Sequence, residues 1–533
     1  MDIERLIDAL RRPETYPHPA EDPVIRQTHI SVVALAGSYA YKVKKPVDLG
    51  FLDFTSLEAR LHFCREEVRL NRRLAPDVYL GVVPLTDVGG RLRVEGSGPP
   101  VEYAVKMERL PDEATLHHRL RREELSEEIV ARLGERVAAF HGQAASGPEI
   151  DRYGCLQVVE ANARENIERS RGGVGSCMSD EVLTRLTTGL ERRLRQLGRL
   201  IEARARGHRT RDTHGDLHLD HVYLFPDRTP PGDLVIIDCI EFNERFRYSD
   251  PVADMAFLVM DLVFHGRPDL GRVFAGAYFD AVDDPDGSAL LPFYVAYRAA
   301  VRGKVEGLVA GEDEVPTRER WEAVRRARAH WLLALTELED PGERPCLVLV
   351  GGMPGTGKST LAATLSREAG FQVISSDRVR KELAGLGPET AARAAFGEGI
   401  YTAEWDERTY ERCLERAGAL LFEGGRVLVD ASFRDLRRRR EFLDAAVDWG
   451  VRSCMLICTA PRDTVKRRLA ARRGGASDAD WAIYEAVAAT WEDDGAAHLR
   501  GSVLEIPSEG GDERALEAAL GHLRRLGMAA QVT

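Results

Sequence analysis

The stretch CLVLVGGMPGTGKS, residues 346–359, decides the fold of the C-terminal part of the chain. Residues 346–351 form an apolar run of strand length, and residues 352–359 fit the pattern G-x-x-x-x-G-K-[ST] before the helical run TLAATLSREA. A glycine-rich loop between a strand and a helix lets backbone N–H groups and the positive helix end surround phosphate oxygens. The pattern predicts an α/β P-loop domain with a parallel sheet and an ATP site.

The residues of this loop have separate predicted roles. Lys358 is expected to reach the β and γ phosphates, and Ser359 to ligate Mg²⁺. The remaining candidate nucleotide contacts are Gly352, Gly355, Thr356, Gly357 and Thr360.

The next strand-like stretch, FQVISSDRVRKEL, carries a candidate acceptor site. Asp377 and Arg380 are three residues apart, so one turn of helix places them on the same face. Asp377 could accept the proton of an acceptor hydroxyl while Arg380 holds an anionic group of the substrate. The alternative is that Asp377 only caps the following helix.

Two further stretches suggest metal and lid residues. The strand VLVD ends at Asp430, which could orient Mg²⁺ or could belong to an ordinary strand-end turn. The segment PRDTVKRRLAARRGG predicts a helix with Arg468 and Arg472 on one face. These arginines could neutralise a transferring phosphoryl group or form a solvated surface.

Together these residues resemble the small P-loop kinases of the gluconate kinase, polynucleotide kinase and zeta-toxin type, over residues 346–510. The resemblance implies a parallel sheet flanked by helices and phosphoryl transfer from ATP to a hydroxyl. Lys358 and Asp377 would then be catalytic. The run RDLRRRR at 434–440 lacks interleaved aromatic residues, so we expect a solvated helix face and no nucleic-acid partner.

A second constellation lies in the N-terminal part. The motif THGDLH at 213–218 precedes the strand VYLF, a turn rich in proline and glycine, and the strand LVIID that ends at Asp238. A hairpin therefore brings Asp216 and Asp238 together. Asp216 would orient the acceptor hydroxyl, and Asp238 would hold Mg²⁺ between the ATP phosphates.

Through H-G-D at 214–216, I-I-D at 236–238 and YSDPVADMAFL, residues 25–305 resemble the aminoglycoside and choline kinases. The resemblance implies an α+β, protein-kinase-like fold in which Asp254 supports the catalytic loop. AYKVKK would supply the phosphate-binding lysine, with Lys42 fitting best and Lys44 on the same strand face. Glu67 would be its helix partner, with Glu66 as runner-up, and EYAVKMERL at 102–110 would contact adenine.

One residue departs from that family. Its members normally carry an asparagine metal ligand five residues after the catalytic aspartate, where this chain has His221. Imidazole is a poor ligand for Mg²⁺. His221 is therefore a candidate metal ligand of unusual type, and either Asp220 or water takes over the role of the asparagine or this lobe turns over poorly.

Length and composition limit the function classes. A chain of 533 residues exceeds one core, and LEDPGERP at 338–345 is the best linker, which predicts domains 1–337 and 346–533. The net charge of −12 disfavours broad nucleic-acid binding. The N-terminal stretch lacks the pattern of an export signal and no apolar run reaches membrane-spanning length, so we expect a cytoplasmic protein with no membrane partner.

The combination resembles bacterial proteins described as bifunctional phosphotransferase and ATP-binding proteins. The leading hypothesis is a kinase with two ATP and Mg²⁺ sites that acts on small hydroxylated molecules. The alternative is a regulatory nucleotide-binding protein whose kinase-like lobe is catalytically weak. The sequence leaves the acceptor and the oligomeric state open.

Overall fold

A computed structural model of the protein describes residues 2–50, 52–387, 390, 397–471, 479–492, 502–509 and 511–531. The chain forms two compact units. The first comprises Met1–Val159, Gly198–Leu262 and Pro268–Leu291, and the second comprises Glu160–Leu197, Val263–Arg267 and Pro292–Thr533.

The first unit is built on a six-stranded antiparallel sheet. Its strands are β1 (Val24–Gln27), β2 (Ser31–Ala36), β3 (Tyr39–Lys44), β4 (Tyr79–Val88), β5 (Arg91–Val94) and β6 (Pro100–Glu108). Their spatial order is β1-β2-β3-β6-β4-β5. The predicted hairpin is confirmed, because β2 and β3 pair across a turn in which Gly37 has a φ of +58°.

Side chains of β3 alternate between the two faces of this sheet. Tyr41 and Val43 belong to a core shared with α1 (Ile3–Leu10). Ala40 instead packs with α2 (Leu57–Asn71) on the opposite face. Because strand side chains have a period of two, Lys42 and Lys44 also point to the α2 face.

Helices dominate the chain after β6, as the sequence predicts for 120–335. They are α3 (Leu116–Arg121), α4 (Glu127–Gln143), α5 (Pro148–Asp151), α6 (Leu156–Glu168), α7 (Asp180–Arg206), α8 (Glu244–Arg247), α9 (Pro251–Phe264), α10 (Pro268–Ala281), α11 (Leu291–Ala310) and α12 (Thr317–Leu338). Short strand pairs interrupt them: β7 (Arg211–Asp212) with β10 (Tyr248–Ser249), and β8 (Val222–Leu224) with β9 (Leu234–Ile236). Within the described residues, no helix combines the length and apolar character needed to cross a membrane.

The second unit contains a five-stranded parallel sheet. Its strands are β11 (Cys346–Gly351), β12 (Gln372–Ser375), β13 (Arg426–Asp430), β14 (Arg452–Thr459) and β15 (Ser502–Pro507), in the order β12-β13-β11-β14-β15. The helices are α13 (Lys358–Ala369), α14 (Ser376–Leu383), α15 (Ala403–Phe422), α16 (Leu436–Asp448), α17 (Arg462–Ala471), α18 (Trp481–Ala489) and α19 (Asp512–Arg525). β11 and β13 are buried along their whole length, as continuous apolar runs in a parallel sheet predict.

The compact units divide the helices differently from a boundary at 338–345. The helical stretches 160–197 and 292–338 group with the parallel sheet. In that unit Arg185 of α7 donates hydrogen bonds to Glu339 and to the carbonyl oxygen of Gly424. The segment between α12 and β11 is therefore a packed loop, while the domain limits 1–337 and 346–533 stay a prediction.

Candidate active sites

Two lysines of β3 share one carboxylate in the first unit. Lys42 Nζ lies 2.9 Å from Glu67 Oε1 and 2.5 Å from Asp238 Oδ1. Lys44 Nζ lies 2.7 Å from Glu67 Oε2 and also donates to Glu241. The Lys44 side chain is 1% exposed and that of Lys42 is 13% exposed, so Lys42 is the more accessible of the two to a ligand.

Burial and charge act in opposite directions on these groups. Burial lowers the pKa of both lysines, but the facing carboxylates outweigh it and raise each pKa above its ordinary value. For Glu67, burial raises the pKa, and the charges of Lys42 and Lys44 outweigh this and lower it. Both ammonium groups and this carboxylate therefore remain charged at neutral pH. Glu66 instead pairs with Arg69 on the exposed side of α2.

Asp238 follows β9 and adopts a left-handed backbone with a φ of +66°. Its backbone N–H donates to the hydroxyl of Tyr79 at 3.2 Å. Burial alone would raise the pKa of its carboxyl group, but the Lys42 ammonium and the His221 ring together outweigh burial, so the pKa lies below its usual range. The side chain is 38% exposed, so the carboxylate is accessible to a ligand.

The loop around Asp216 is held by a buried aspartate of α9. Asp254 accepts hydrogen bonds from the backbone N–H of His214 at 3.0 Å and of Gly215 at 2.7 Å. His141 Nε2 lies 3.0 Å from Asp254 on the same side. This arrangement matches the supporting role that the resemblance implies for Asp254.

His221 lies between the two candidate aspartates. Its Nδ1 is 3.6 Å from Asp216 Oδ2, and its Nε2 is 3.6 Å from Asp238 Oδ2. The β8–β9 pairing fixes this geometry, because Val222 pairs with Ile236 and the Ile237 N–H donates to the His221 carbonyl oxygen. The structure therefore places His221, Asp216 and Asp238 in one cluster, as the predicted hairpin requires.

In the second unit, residues 352–359 form a phosphate loop between β11 and α13. Gly352 has a φ of +135°, and a Cβ there would lie 2.4 Å from the Cys458 carbonyl oxygen, so only glycine fits. Gly357 is the N-cap of α13 with a φ of +97°. Lys358 Nζ donates to the Met353 carbonyl oxygen at 3.1 Å, which folds the ammonium back over the loop.

Asp430 lies at the end of β13, beside this loop. It pairs in register with Val350 of β11 and with Ser375 of β12. Burial raises the pKa of Asp430, while the Lys358 ammonium and a hydrogen bond with the Ser359 hydroxyl oppose that rise. Ser359, Lys358 and Asp430 thus form one cluster at the carboxyl edge of the sheet.

Asp377 and Arg380 lie on α14, which follows β12. The N-cap of α14 is Ser375, so Asp377 occupies the first turn and not the capping position. Arg380 is 7% exposed, with Nη2 2.6 Å from Asp406 Oδ1 and Nη1 donating to the Ile400 carbonyl oxygen at 2.9 Å. A substrate anion would have to share or displace Asp406 to reach this guanidinium.

Arg468 of α17 contacts the phosphate loop. Its Nη1 donates to Ser508 Oγ at 2.7 Å and to the Gly355 carbonyl oxygen at 3.4 Å. A pocket of about 390 Å³ lies beside it, lined among others by Thr360, Thr364 and Asp512. Arg472 lies outside the described residues.

Sequence reasoning missed three residues of these sites. Glu241 binds Lys44, Ser508 binds Arg468, and His218 places Nε2 3.6 Å from Asp216 Oδ2. His218 lies within the quoted motif THGDLH and Glu241 three residues after Asp238, so proximity to the motifs was a usable signal for both. Ser508 comes close to Arg468 only through the pairing of β14 with β15, and no local pattern marks it.

Comparison with known proteins finds a separate family match for each of the two candidate sites. Residues 54–291 match the phosphotransferase enzyme family, and residues 347–492 match the family described as AAA domain. The uncharacterized protein Rv2004c of Mycobacterium tuberculosis is 34% identical over 479 residues, which cover 89% of this chain and 92% of that protein. The uncharacterized protein Mb2027c of Mycobacterium bovis matches with the same values.

Two solved structures of kinases are similar to portions of the chain. A sugar kinase from Janibacter sp. HTCC2649 is 19% identical, covering 35% of this chain and 98% of its own, with a TM-score of 0.27. A microcompartment-associated aminopropanol kinase is 17% identical, covering 62% of this chain and 96% of its own, with a TM-score of 0.38.

The order of the two family matches is the order of the two sites along the chain. The mycobacterial relatives extend over nearly the whole length, so the joining of the two domains is itself a shared feature. The chain therefore belongs to the family of these mycobacterial proteins, in which a kinase-like phosphotransferase domain is followed by a P-loop, kinase-like AAA domain.

Proposed function

We propose that the P-loop unit is an ATP-dependent kinase that phosphorylates a hydroxyl group of a small molecule. The observation that carries this proposal is the cluster of Lys358, Ser359 and Asp430 at the carboxyl edge of the parallel sheet. Hydroxyl and carboxylate oxygens are the ligands that Mg²⁺ prefers, so Ser359 and Asp430 suit that ion. When bound, Mg²⁺ supplies charge neutralisation at the β and γ phosphates.

Different residues of the P-loop unit bind the phosphates and accept the proton of the hydroxyl. Lys358 contacts the transferring phosphoryl group, and backbone N–H groups of the loop hold the other phosphates. Arg468 lies against the loop at Gly355 and adds positive charge there. Asp377 accepts the proton of the attacking hydroxyl. It lies in the first turn of α14, directly after β12, whose last residue Ser375 pairs with Asp430.

We propose a second ATP site in the first unit. The ion pairs of Lys42 with Glu67 and Asp238 support it, because this triplet holds an ammonium where phosphates are expected. Lys44 is buried against Glu67 and Glu241 and is assigned a structural role. Asp216 would orient the acceptor hydroxyl, and its carboxylate is 35% exposed.

The acceptors are proposed to be small hydroxylated molecules such as sugars or amino sugars. The engaged Arg380 favours the alternative of a regulatory protein, because Asp406 already occupies the guanidinium that would hold an acceptor anion.

A screen with one intact site at a time tests the proposal. Full-length protein, Lys358→Ala and Lys42→Ala are each incubated with ATP and a metabolite extract, and phosphorylated products are identified by mass spectrometry. We expect one product set to disappear in each variant. ATP hydrolysis without any phosphorylated metabolite, unchanged by Asp216→Asn and Asp377→Asn, would support the regulatory alternative.

A further inference from the structure

Three ligand-type side chains meet in the first unit. Asp216, His218 and His221 place one candidate ligand atom each within 4.8 Å of one another. The separations of 3.6 Å between His218 Nε2 and Asp216 Oδ2, and between His221 Nε2 and Asp238 Oδ2, exceed hydrogen-bond distances. Two ligands about 2.1 Å from a tetrahedral zinc ion lie roughly 3.4 Å apart. Each of these separations is close to that between two ligands of a small ion.

The tautomer of His221 follows from its hydrogen bond. Its Nδ1 lies 2.9 Å from the backbone carbonyl oxygen of Asp216. A carbonyl oxygen only accepts, so Nδ1 carries the hydrogen and Nε2 carries the lone pair. Metal-binding imidazoles are commonly held in this way, by donation from the other ring nitrogen to a carbonyl oxygen. His221 therefore presents Nε2 as a ligand atom, on the side of Asp238.

A carboxylate lies near the other ring nitrogen of His218, beyond direct hydrogen-bond distance. Asp220 Oδ2 lies 3.7 Å from His218 Nδ1, and Asp220 Oδ1 lies 2.7 Å from His117 Nδ1. The two rings of His218 and His221 lie side by side, with centroids 3.9 Å apart. A carboxylate behind an imidazole is the usual outer-shell arrangement at zinc sites, where it orients the ring.

The donor atoms of the cluster are not the set that Mg²⁺ prefers. Asp216 and Asp238 offer oxygen, but the two imidazoles offer nitrogen, which Mg²⁺ binds weakly. Imidazole nitrogen suits zinc and its neighbours in the first transition row. We propose that His218, His221 and Asp216 bind a transition ion of the Zn²⁺ and Co²⁺ type in preference to Mg²⁺.

This inference deepens the proposed function of the first unit, because it names the ion that its site selects. An ion held by Asp216 would occupy the carboxylate that is proposed to orient the acceptor. Metal binding, however, is read without nucleotide or acceptor. Its failure is therefore distinguishable from a failure of the proposed kinase activity.

The test is isothermal titration calorimetry of the chelator-treated full-length protein with Zn²⁺, Co²⁺ or Mg²⁺. We expect Zn²⁺ to bind most tightly and Mg²⁺ at least ~100-fold more weakly than Co²⁺. His218→Ala and His221→Ala should each lower Zn²⁺ affinity by ~100-fold or more, and Asp220→Asn by roughly 10-fold. His62→Ala, which alters an exposed histidine of α2, serves as the matched control and should leave the affinity unchanged.

A second variant protects the test against misfolding. His221→Asn retains a polar side chain of similar reach and offers oxygen in place of nitrogen, so the ratio of Co²⁺ to Mg²⁺ affinity should fall by at least ~10-fold. Far-UV circular dichroism confirms that each variant is folded. Equal affinities for Co²⁺ and Mg²⁺ in the native protein would overturn the proposal. So would Zn²⁺ affinities within ~3-fold of native in both His218→Ala and His221→Asn.

Discussion

The two candidate sites reach a similar chemistry by different construction. The P-loop site is made largely of nine neighbouring residues, 352–360, and its proposed phosphate contacts are backbone N–H groups of one turn. The kinase-like site joins Lys42, Glu67, Asp216 and Asp238 from four separate segments. A local motif specifies the phosphate loop of the first site, whereas the second depends on ion pairs that form only when the unit folds. The first should therefore tolerate changes in distant residues better than the second.

The largest effect is expected for Lys358→Ala. Without its ammonium, nothing in the phosphate loop contacts both the leaving and the transferring phosphate, so turnover at this site should fall by ~10³-fold or more. Steady-state kinetics of Lys358→Ala, measured in full-length protein that also carries Lys42→Ala, report turnover at this site without a contribution from the first unit. Lys466→Ala, on the exposed side of α17, is the control. Native turnover in Lys358→Ala would contradict a catalytic role of the P-loop.

Glu67→Gln should destabilise the first unit by about 3–5 kcal/mol, because it leaves Lys42 and Lys44 without their shared buried carboxylate. All six tryptophans lie at 321–491, in the second unit. The urea transition seen by circular dichroism should therefore gain an early phase, while the tryptophan fluorescence transition stays in place.

Glu66→Gln is the matched control for this change. Glu66 lies next to Glu67 on α2 but pairs with Arg69 at an exposed position. Its loss should cost less than about 1 kcal/mol. Equal destabilisation by the two variants would show that the shared carboxylate is not what holds the site together.

Asp377→Asn should lower phosphorylation of the acceptor by ~10²-fold and leave ATP affinity unchanged, as the loss of a general base does. Asp463→Asn is a suitable control, since Asp463 also lies in the first turn of a helix but is exposed on α17. Both quantities come from steady-state kinetics and nucleotide titration. Native turnover in Asp377→Asn would remove the catalytic role.

A smaller effect is expected from acidification of the first unit. Burial lowers the pKa of His214 to about 4, whereas an unfolded histidine titrates near ~6.5. Between these two values the unfolded state binds more protons, so the free energy of unfolding falls as pH decreases. The His214 contribution should amount to about 2 kcal/mol between pH 7 and pH 5.

Urea unfolding followed by circular dichroism at the two pH values measures this slope. His214→Gln should flatten the pH dependence of the first unit. His29→Gln, at an exposed position, should leave it as in the native protein. An unchanged slope in His214→Gln would assign the acid sensitivity to other groups.

The contrast between the sites also explains what the sequence could predict. The apolar runs of β11, β13 and β14 and the glycine loop between β11 and α13 have strong local signals, so the parallel sheet was predictable. The β8–β9 hairpin was predictable from its turn, and with it the meeting of Asp216 and Asp238. Local patterns hold no information on which buried carboxylate meets which lysine.

Two outcomes illustrate that limit. Strand alternation places Lys42 and Lys44 on the same face of the sheet, so the sequence does not distinguish them. In the structure Lys44 also pairs with Glu241 and is 1% exposed, whereas Lys42 is 13% exposed. Arg380 is on the predicted helix, but its closure onto Asp406 comes from α15, a distant element. The grouping of α11 and α12 with the parallel sheet was likewise not visible in their own helical patterns.

The central claim is that one chain contains two separate nucleotide sites, and binding stoichiometry tests it most directly. A non-hydrolysable ATP analogue is titrated calorimetrically into the full-length protein, Lys358→Ala, Lys42→Ala and the double variant, with Mg²⁺ and then with Mn²⁺ present. We predict two equivalents for the native protein, one for each single variant and none for the double variant. A single equivalent in the native protein that Lys42→Ala leaves intact would contradict the claim.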